Sequence, residues 1–275
     1  MTREEKVHAF RTLHKRPGAF VIPNPWDAGT ARILTALGFE ALATTSAGYA
    51  FSAGRLDSSA ALTREEILAN AKAIVDASDL PVNGDLEDGF GPRPEDCATT
   101  IRLAVDAGLA GGSIEDATGD PNAPIYDLGL SVERVAAAVE AARKSNFVLT
   151  ARAENFLWQR PDLGDTIKRL QAFADAGADV LYAPGLPSLE AIREVCKSVP
   201  KPVNVVMGLK GTLFSVDQLA EAGVKRISVG GSLARAALGA FVRAATEMKD
   251  KGTFTYATEA IAHADVRRFM EKTER

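Results

Sequence analysis

The chain has 275 residues, 46% of them hydrophobic and 25% charged, with 23 Gly and 13 Pro. That is a globular composition, and it excludes collagen-like, coiled-coil and disordered chains. A formal net charge of −4, with basic residues spread along the chain, argues against a nucleic-acid partner. No run of about 18 apolar residues offers a membrane span, and the opening MTREEKVHAF lacks the apolar core of a signal peptide. Cys97 and Cys196 both fall in segments that read as helical, so reduced thiols and a cytoplasmic location are expected. The only histidines are His8, His14 and His263, all near the termini. A mid-chain His/Cys metal cluster or a Ser-His-Asp triad is therefore hard to build, and chemistry must rest on carboxylates, Arg, hydroxyls and backbone N–H groups.

In chain order, strands are predicted at 19–23, 41–45, 82–86, 112–115, 147–152, 180–183, 203–206 and 226–229. Amphipathic helices are predicted between them at 63–79, 94–107, 131–144, 163–176, 188–198 and 215–221, with Ser131 and Ser215 read as helix starts. Asp27 reads as the cap of a further helix and Ser232 as the cap of one at 233–240. A repeat sharpens the pattern: a helix-ending glycine precedes a strand at Gly38, Gly108, Gly177 and Gly223, as a left-handed cap requires. Strands three and seven both open on Pro-Val-Asn, at Pro81 and Pro202. Two-strand periodicity over eight alternating units favours one α/β domain over 1–275, a closed (β/α)8 TIM barrel with 250–275 as a C-terminal helical tail.

In such a barrel the site lies at the C-terminal ends of the strands. Those ends bring Asp85 and Glu87 after strand three and Glu115 after strand four, with Asp57 on the long connection after strand two. Like-charged carboxylates in one partly buried cleft are costly unless protonated or bound to a cation, and oxygen ligands without His or Cys select Mg²⁺, or Mn²⁺, over Zn²⁺. Arg152, at the end of strand five, suits a bidentate clamp on a carboxylate or oxyanion, and equally a partner for Glu115 or Glu154. Thr45-Ser46-Ala47-Gly48 reads as an anion nest or a plain tight turn, and Gly230-Gly231-Ser232 as a turn rather than a phosphate cradle. Asn204 stands near the end of strand seven and joins the substrate-facing set. Lys210 is the lysine closest to a strand end, but a Schiff-base aldolase would want it inside the barrel.

The runs PNPWDAGTARILTALGFEALATTSAGYAFSAGRLD, NGDLEDGFG, GGSIEDA and LTARAEN resemble the isocitrate lyase/phosphoenolpyruvate mutase superfamily, over roughly residues 19–245. The resemblance implies a barrel whose eighth helix swaps with a neighbouring subunit, in a homotetramer (a dimer of dimers) or a homodimer. It also implies Mg²⁺ held by Asp85, with Glu87 and Glu115 nearby and partly bridged by water. A substrate carboxylate would bind at Thr45, Ser46 and Ala47, and Arg152 would hold the oxo or carboxylate oxygens. Arg152, Asp57 and Glu115 are the expected catalytic residues. The family chemistry passes through the enolate of a 2-oxo acid.

Departures from the family pattern matter as much. The lyases of the family carry a Lys-x-Cys-Gly-His loop after strand four, whereas residues 117–126 here read ATGDPNAPIY, and Ala183-Pro184-Gly185 provides no acid after strand six. The expected activity is Mg²⁺-dependent cleavage of a C–C bond in a small 2-oxo or 2-hydroxy acid, such as an oxaloacetate-like or methylisocitrate-like compound. A P–C bond mutase or hydrolase acting on phosphonopyruvate, and a non-catalytic binder of 2-oxo acids, are the rivals.

Overall fold

Eight short parallel strands run in the order β1-β8-β7-β6-β5-β4-β3-β2: β1 (Phe20–Ile22), β2 (Leu42–Ala43), β3 (Val82–Asp85), β4 (Gly111–Glu115), β5 (Val148–Arg152), β6 (Val180–Tyr182), β7 (Val203–Val206) and β8 (Arg226–Ser228). The ring closes between β1 and β2 through Ala43 N donating to Pro23 O at 3.0 Å. This computed structural model describes residues 1–57, 61–209, 211 and 213–271, so Lys210 lies outside the described residues. The fold is the expected (β/α)8 barrel.

The helices are set by their caps. Side-chain oxygens of Asp27, Thr63, Asp162, Ser188 and Ser215 each accept from the backbone N–H three residues on, an interaction worth about 1 kcal/mol apiece. The four repeat glycines Gly38, Gly108, Gly177 and Gly223 all have positive φ, at 86°, 90°, 105° and 99°. Each therefore ends its helix in the left-handed region and turns the chain back into the barrel wall. Two predicted starts are corrected. Helix α6 (Leu128–Arg143) begins three residues before Ser131, because Asp127 caps it and Ser131 is buried inside its first turn. Helix α10 (Ser232–Lys251) is capped by Gly231 with no side-chain hydrogen bond, so Ser232 is its first residue, not its cap.

Helix α1 (Arg3–Lys15) is an element that the strand-by-strand reading did not anticipate. Its Val7, Phe10 and Leu13 pack with Phe20, Ala41, Ala110, Val148 and Val180, plugging the N-terminal end of the barrel. The plug is tight. A β-carbon on Gly111 would lie 2.6 Å from Val148 O and 2.9 Å from the Phe10 ring, and the carbonyl cannot swing aside. Gly111→Ala is expected to cost about 1–3 kcal/mol, read as a lower urea midpoint at unchanged slope.

His14 on α1 is buried edge-on between Phe10 and Phe20, with Nδ1 bonded to Phe10 O at 2.8 Å. Burial, then the charge of Arg226, pushes it down to about 3. The folded state thus keeps the neutral imidazole, so this stability is complete above the ordinary pKa of about 6.5 and is lost as pH falls toward 3. On this basis His14 makes the fold about 2 kcal/mol less stable at pH 5 than at pH 7. Denaturation of the wild type and His14→Gln at both pH values checks it, and the variant should lose that part of the slope.

Candidate active site

The mouth of the barrel opens into a cavity of about 730 Å³ lined by Ser46, Asp57, Asp85, Glu87, Glu115 and Arg152, among others. Strand alternation places these groups: Asp85, Glu115 and Arg152 are the last residues of β3, β4 and β5, and each points inward with the residue two before it.

Arg152 stands at the centre. Its guanidinium pairs with Asp85 Oδ1 at 3.1 Å, Glu115 Oε2 at 3.0 Å and Glu154 Oε1 at 2.8 Å, and stacks over the Tyr182 ring at 4.9 Å. Arg152 is thus the structural partner of both Glu115 and Glu154. Although burial opposes its charge, the surrounding carboxylates, Glu115 foremost, hold it firmly protonated. Burial pushes the Tyr182 phenol up to about 12, so it stays neutral at physiological pH. Behind Arg152, Glu154 N donates to Asp116 Oδ1 at 2.8 Å, and Asp116 Oδ2 is paired with Arg169 at 3.0 Å.

Asp85 is held on both oxygens, since Oδ2 accepts from Ser46 N at 3.1 Å and Ser46 Oγ at 3.0 Å. The 45–48 segment is not a plain tight turn. It is the first turn of helix α3 (Ser46–Ser52), and Thr45 Oγ1 is used as its cap, accepting from Gly48 N. Ala47 N–H belongs to the helix turn that lacks backbone acceptors, and Ala47 faces the cavity.

Glu87 sits in the left-handed region at φ 48°, rare for a side chain of this size. The 88–91 turn behind it is gripped by buried Arg134, which donates to Gly91 O at 2.6 Å and to Asp88 O. Burial, then the charges of Asp85, Asp88 and Asp57, pushes Glu87 up to about 8. Burial raises Glu115 well above the usual carboxylate range. Asp57, exposed on the rim, is raised too, by partial burial and then by Asp85. One guanidinium therefore leaves this acid cluster short of positive charge.

The donors are all oxygen and the cluster has surplus negative charge, which fits a hard divalent cation such as Mg²⁺ or Mn²⁺. Among the described residues no three acids, histidines or cysteines are already gathered into a cage.

Asn204 lines the same cavity. Its Oδ1 accepts from Arg226 Nε at 2.8 Å and its Nδ2 donates to Ser228 Oγ at 3.1 Å, so both ends of the amide are engaged below the acid cluster. Asn24, read only as part of a turn, joins three strand ends. Its Nδ2 donates to Thr44 O, and its Oδ1 accepts from Val229 N and Gly230 N, occupying two of the donors a phosphate cradle would need. The 117–126 loop is bonded to itself, with Ala117 bridging Ile125 and Thr118 N donating to Pro124 O, and Ala117, Gly119 and Pro121 border the cavity. It brings neither thiol nor cation to the mouth.

Residues 10–249 match the family model for phosphoenolpyruvate phosphomutase. The chain belongs to that family, within the isocitrate lyase/phosphoenolpyruvate mutase superfamily. A crystal structure from Burkholderia cenocepacia J2315, described provisionally as a lyase or mutase, is 58% identical, with TM-score 0.96 over 98% of this chain and 97% of that one. The 2-methylisocitrate lyase of Escherichia coli K12 is 29% identical over 78% of this chain and 75% of its own length. A crystal structure of 2,3-dimethylmalate lyase, a member of the same superfamily, is 28% identical with TM-score 0.86, covering 98% of this chain and 95% of that one. No helix among the described residues is long and apolar enough to cross a membrane.

Proposed function

We propose that this protein is a Mg²⁺-dependent lyase that cleaves a C–C bond in a small 2-oxo or 2-hydroxy carboxylic acid. The observation that carries the reading is the Asp85–Arg152–Glu115 constellation at three adjacent strand ends, inside a cation-deficient acid cluster. The lyase names of the relatives at 28–29% identity support it.

Asp85 would hold the cation, with Glu87 and Glu115 joining through water. When bound, the cation supplies polarisation of the substrate's oxygens. Breaking the C–C bond leaves an electron pair that passes into the adjacent carbonyl or carboxyl oxygen, giving an enolate, while the other carbon becomes a carbonyl as its hydroxyl gives up a proton, or leaves as CO₂ from a carboxylate. The Arg152 guanidinium, already fixed by three carboxylates, meets that charge with little reorganisation. Ser46 and Ala47 would receive the substrate carboxylate, Ser46 only once Asp85 Oδ2 has turned away from it. Asp57, exposed at the rim with a raised pKa, would exchange a proton with the departing fragment.

The chain is also proposed to form a homodimer or homotetramer. Helix α10 buries only Ala234 against its own barrel, leaving Leu238, Phe241 and Val242 exposed, which suits exchange of this helix with a neighbouring subunit.

The family model's own description favours a second reading, P–C bond chemistry on phosphonopyruvate. A panel of 2-oxo and 2-hydroxy acids incubated with Mg²⁺ tests both. The lyase reading expects a two-fragment product from at least one carbon acid and an unchanged ³¹P spectrum with phosphonopyruvate. Loss of the P–C signal would support the second reading instead. Tight oxalate binding with no turnover of any compound would make the protein a binder.

A further inference from the structure

Below the acid cluster the barrel interior is polar, where barrels of this kind are usually filled by branched apolar side chains. Arg226 opens β8 and points inward, as does Ser228 two residues later. It is only 3% exposed, yet it lines the same cavity that opens at the mouth. Its Nε donates to Asn204 Oδ1 at 2.8 Å and one terminal nitrogen to Thr150 Oγ1 at 3.0 Å, while the other, Nη1, has no partner.

Among the described residues no carboxylate lies within ion-pair distance of this guanidinium. The groups that face it are neutral: Thr150 on β5, Asn204 on β7, Tyr182 on β6, and Phe10 and His14 on α1, the Phe10 ring centroid lying 5.9 Å away. The acids one layer up are committed to Arg152, which is two residues beyond Thr150 on the same strand, about 7 Å along it. A buried charge without a counter-charge is among the costliest features a fold can carry. A water molecule would satisfy the N–H but not the charge.

We propose that Arg226, through Nη1, binds a small monovalent inorganic anion of halide size in the floor of the barrel cavity, separate from the acid cluster at the mouth. The interior of an eight-stranded barrel leaves room for little more than side chains, which limits the ligand to that size. The proposal is independent of the reaction class.

Bromide is the probe. Thermal unfolding of the full chain is followed in sodium bromide and in sodium gluconate at equal ionic strength, and crystals grown in bromide are measured at the bromine absorption edge. A midpoint that rises in bromide alone, with an anomalous peak beside Arg226 Nη1, is expected. Bromide at 100 times its Kd should raise the folding equilibrium constant about 100-fold. Arg226→Met should lose the halide response. Equal midpoints in the two salts, with a water or nothing at Nη1 in the bromide crystals, would overturn the proposal. The wild-type diffraction result stands even if the variant fails to fold.

Discussion

Asp85→Ala is expected to lower kcat/KM by about 1,000-fold or more, on the scale of removing a preorganised electrostatic group from an active site. Asp85 ties helix α3, through Ser46 N and Oγ, to Arg152 across the cavity. Its loss removes the proposed ligand, frees Ser46 and unbalances the guanidinium in one step. Asp85→Asn keeps the shape but not the charge, so it should be nearly as inactive while folding normally. Steady-state kinetics on whichever acid the panel identifies, alongside a melting curve, separates lost chemistry from lost structure. An Asp85→Asn enzyme with near wild-type turnover would remove Asp85 from the mechanism.

The second large effect is on stability. Arg152→Met leaves Glu115, Glu154 and Asp85 facing one another with their shared cation gone. Breaking a buried pair by removing one partner costs about 3–5 kcal/mol. The loss should depend on pH with a definite sign. Glu115 already has its pKa raised above the usual carboxylate range by burial, and without Arg152 it rises further. A carboxyl raised in the folded state favours folding at low pH and opposes it as pH climbs through the folded value. The variant should therefore be less destabilised at pH 5 than at pH 8 by urea denaturation, and inactive at both. Arg152→Lys, which keeps the charge but not the fork, should recover much of the stability and little of the activity. Equal destabilisation of Arg152→Met at the two pH values would mean that the guanidinium does not balance these acids.

Much of the barrel was legible because its periodic devices are local. A helix that must stop and re-enter a parallel strand needs a left-handed residue, and Gly38, Gly108, Gly177 and Gly223 declare it without tertiary context. The strand-end acids were legible for the same reason: residue parity along a short strand decides which side chains reach the mouth. Other features depend on neighbours distant in sequence. Helix α1 carries its own signals, a Thr2/Glu5 capping box and the apolar spacing Val7, Phe10, Leu13. Its role as a plug exists only once the ring is closed around it. Arg226 looked like any charged residue at the edge of a strand, and its parity with Ser228 was the available clue to an inward position. The left-handed backbone of Glu87 precedes a turn held by Arg134, which reaches Gly91 from 43 residues away. Asn204, expected to face substrate because it sits near a strand end, does line the cavity, while the hold of Arg226 and Ser228 on its amide depends on the neighbouring strand.

The acid cluster and its shortage of positive charge are the basis of the whole functional reading, and cation binding tests them most directly. Calorimetric titration of the metal-stripped protein with Mg²⁺ should show one site per chain. That site should be lost in Asp85→Ala and kept in a distant variant such as His14→Gln. Wild-type protein that binds no divalent cation, or an Asp85→Ala variant that binds Mg²⁺ with unchanged affinity, would contradict it.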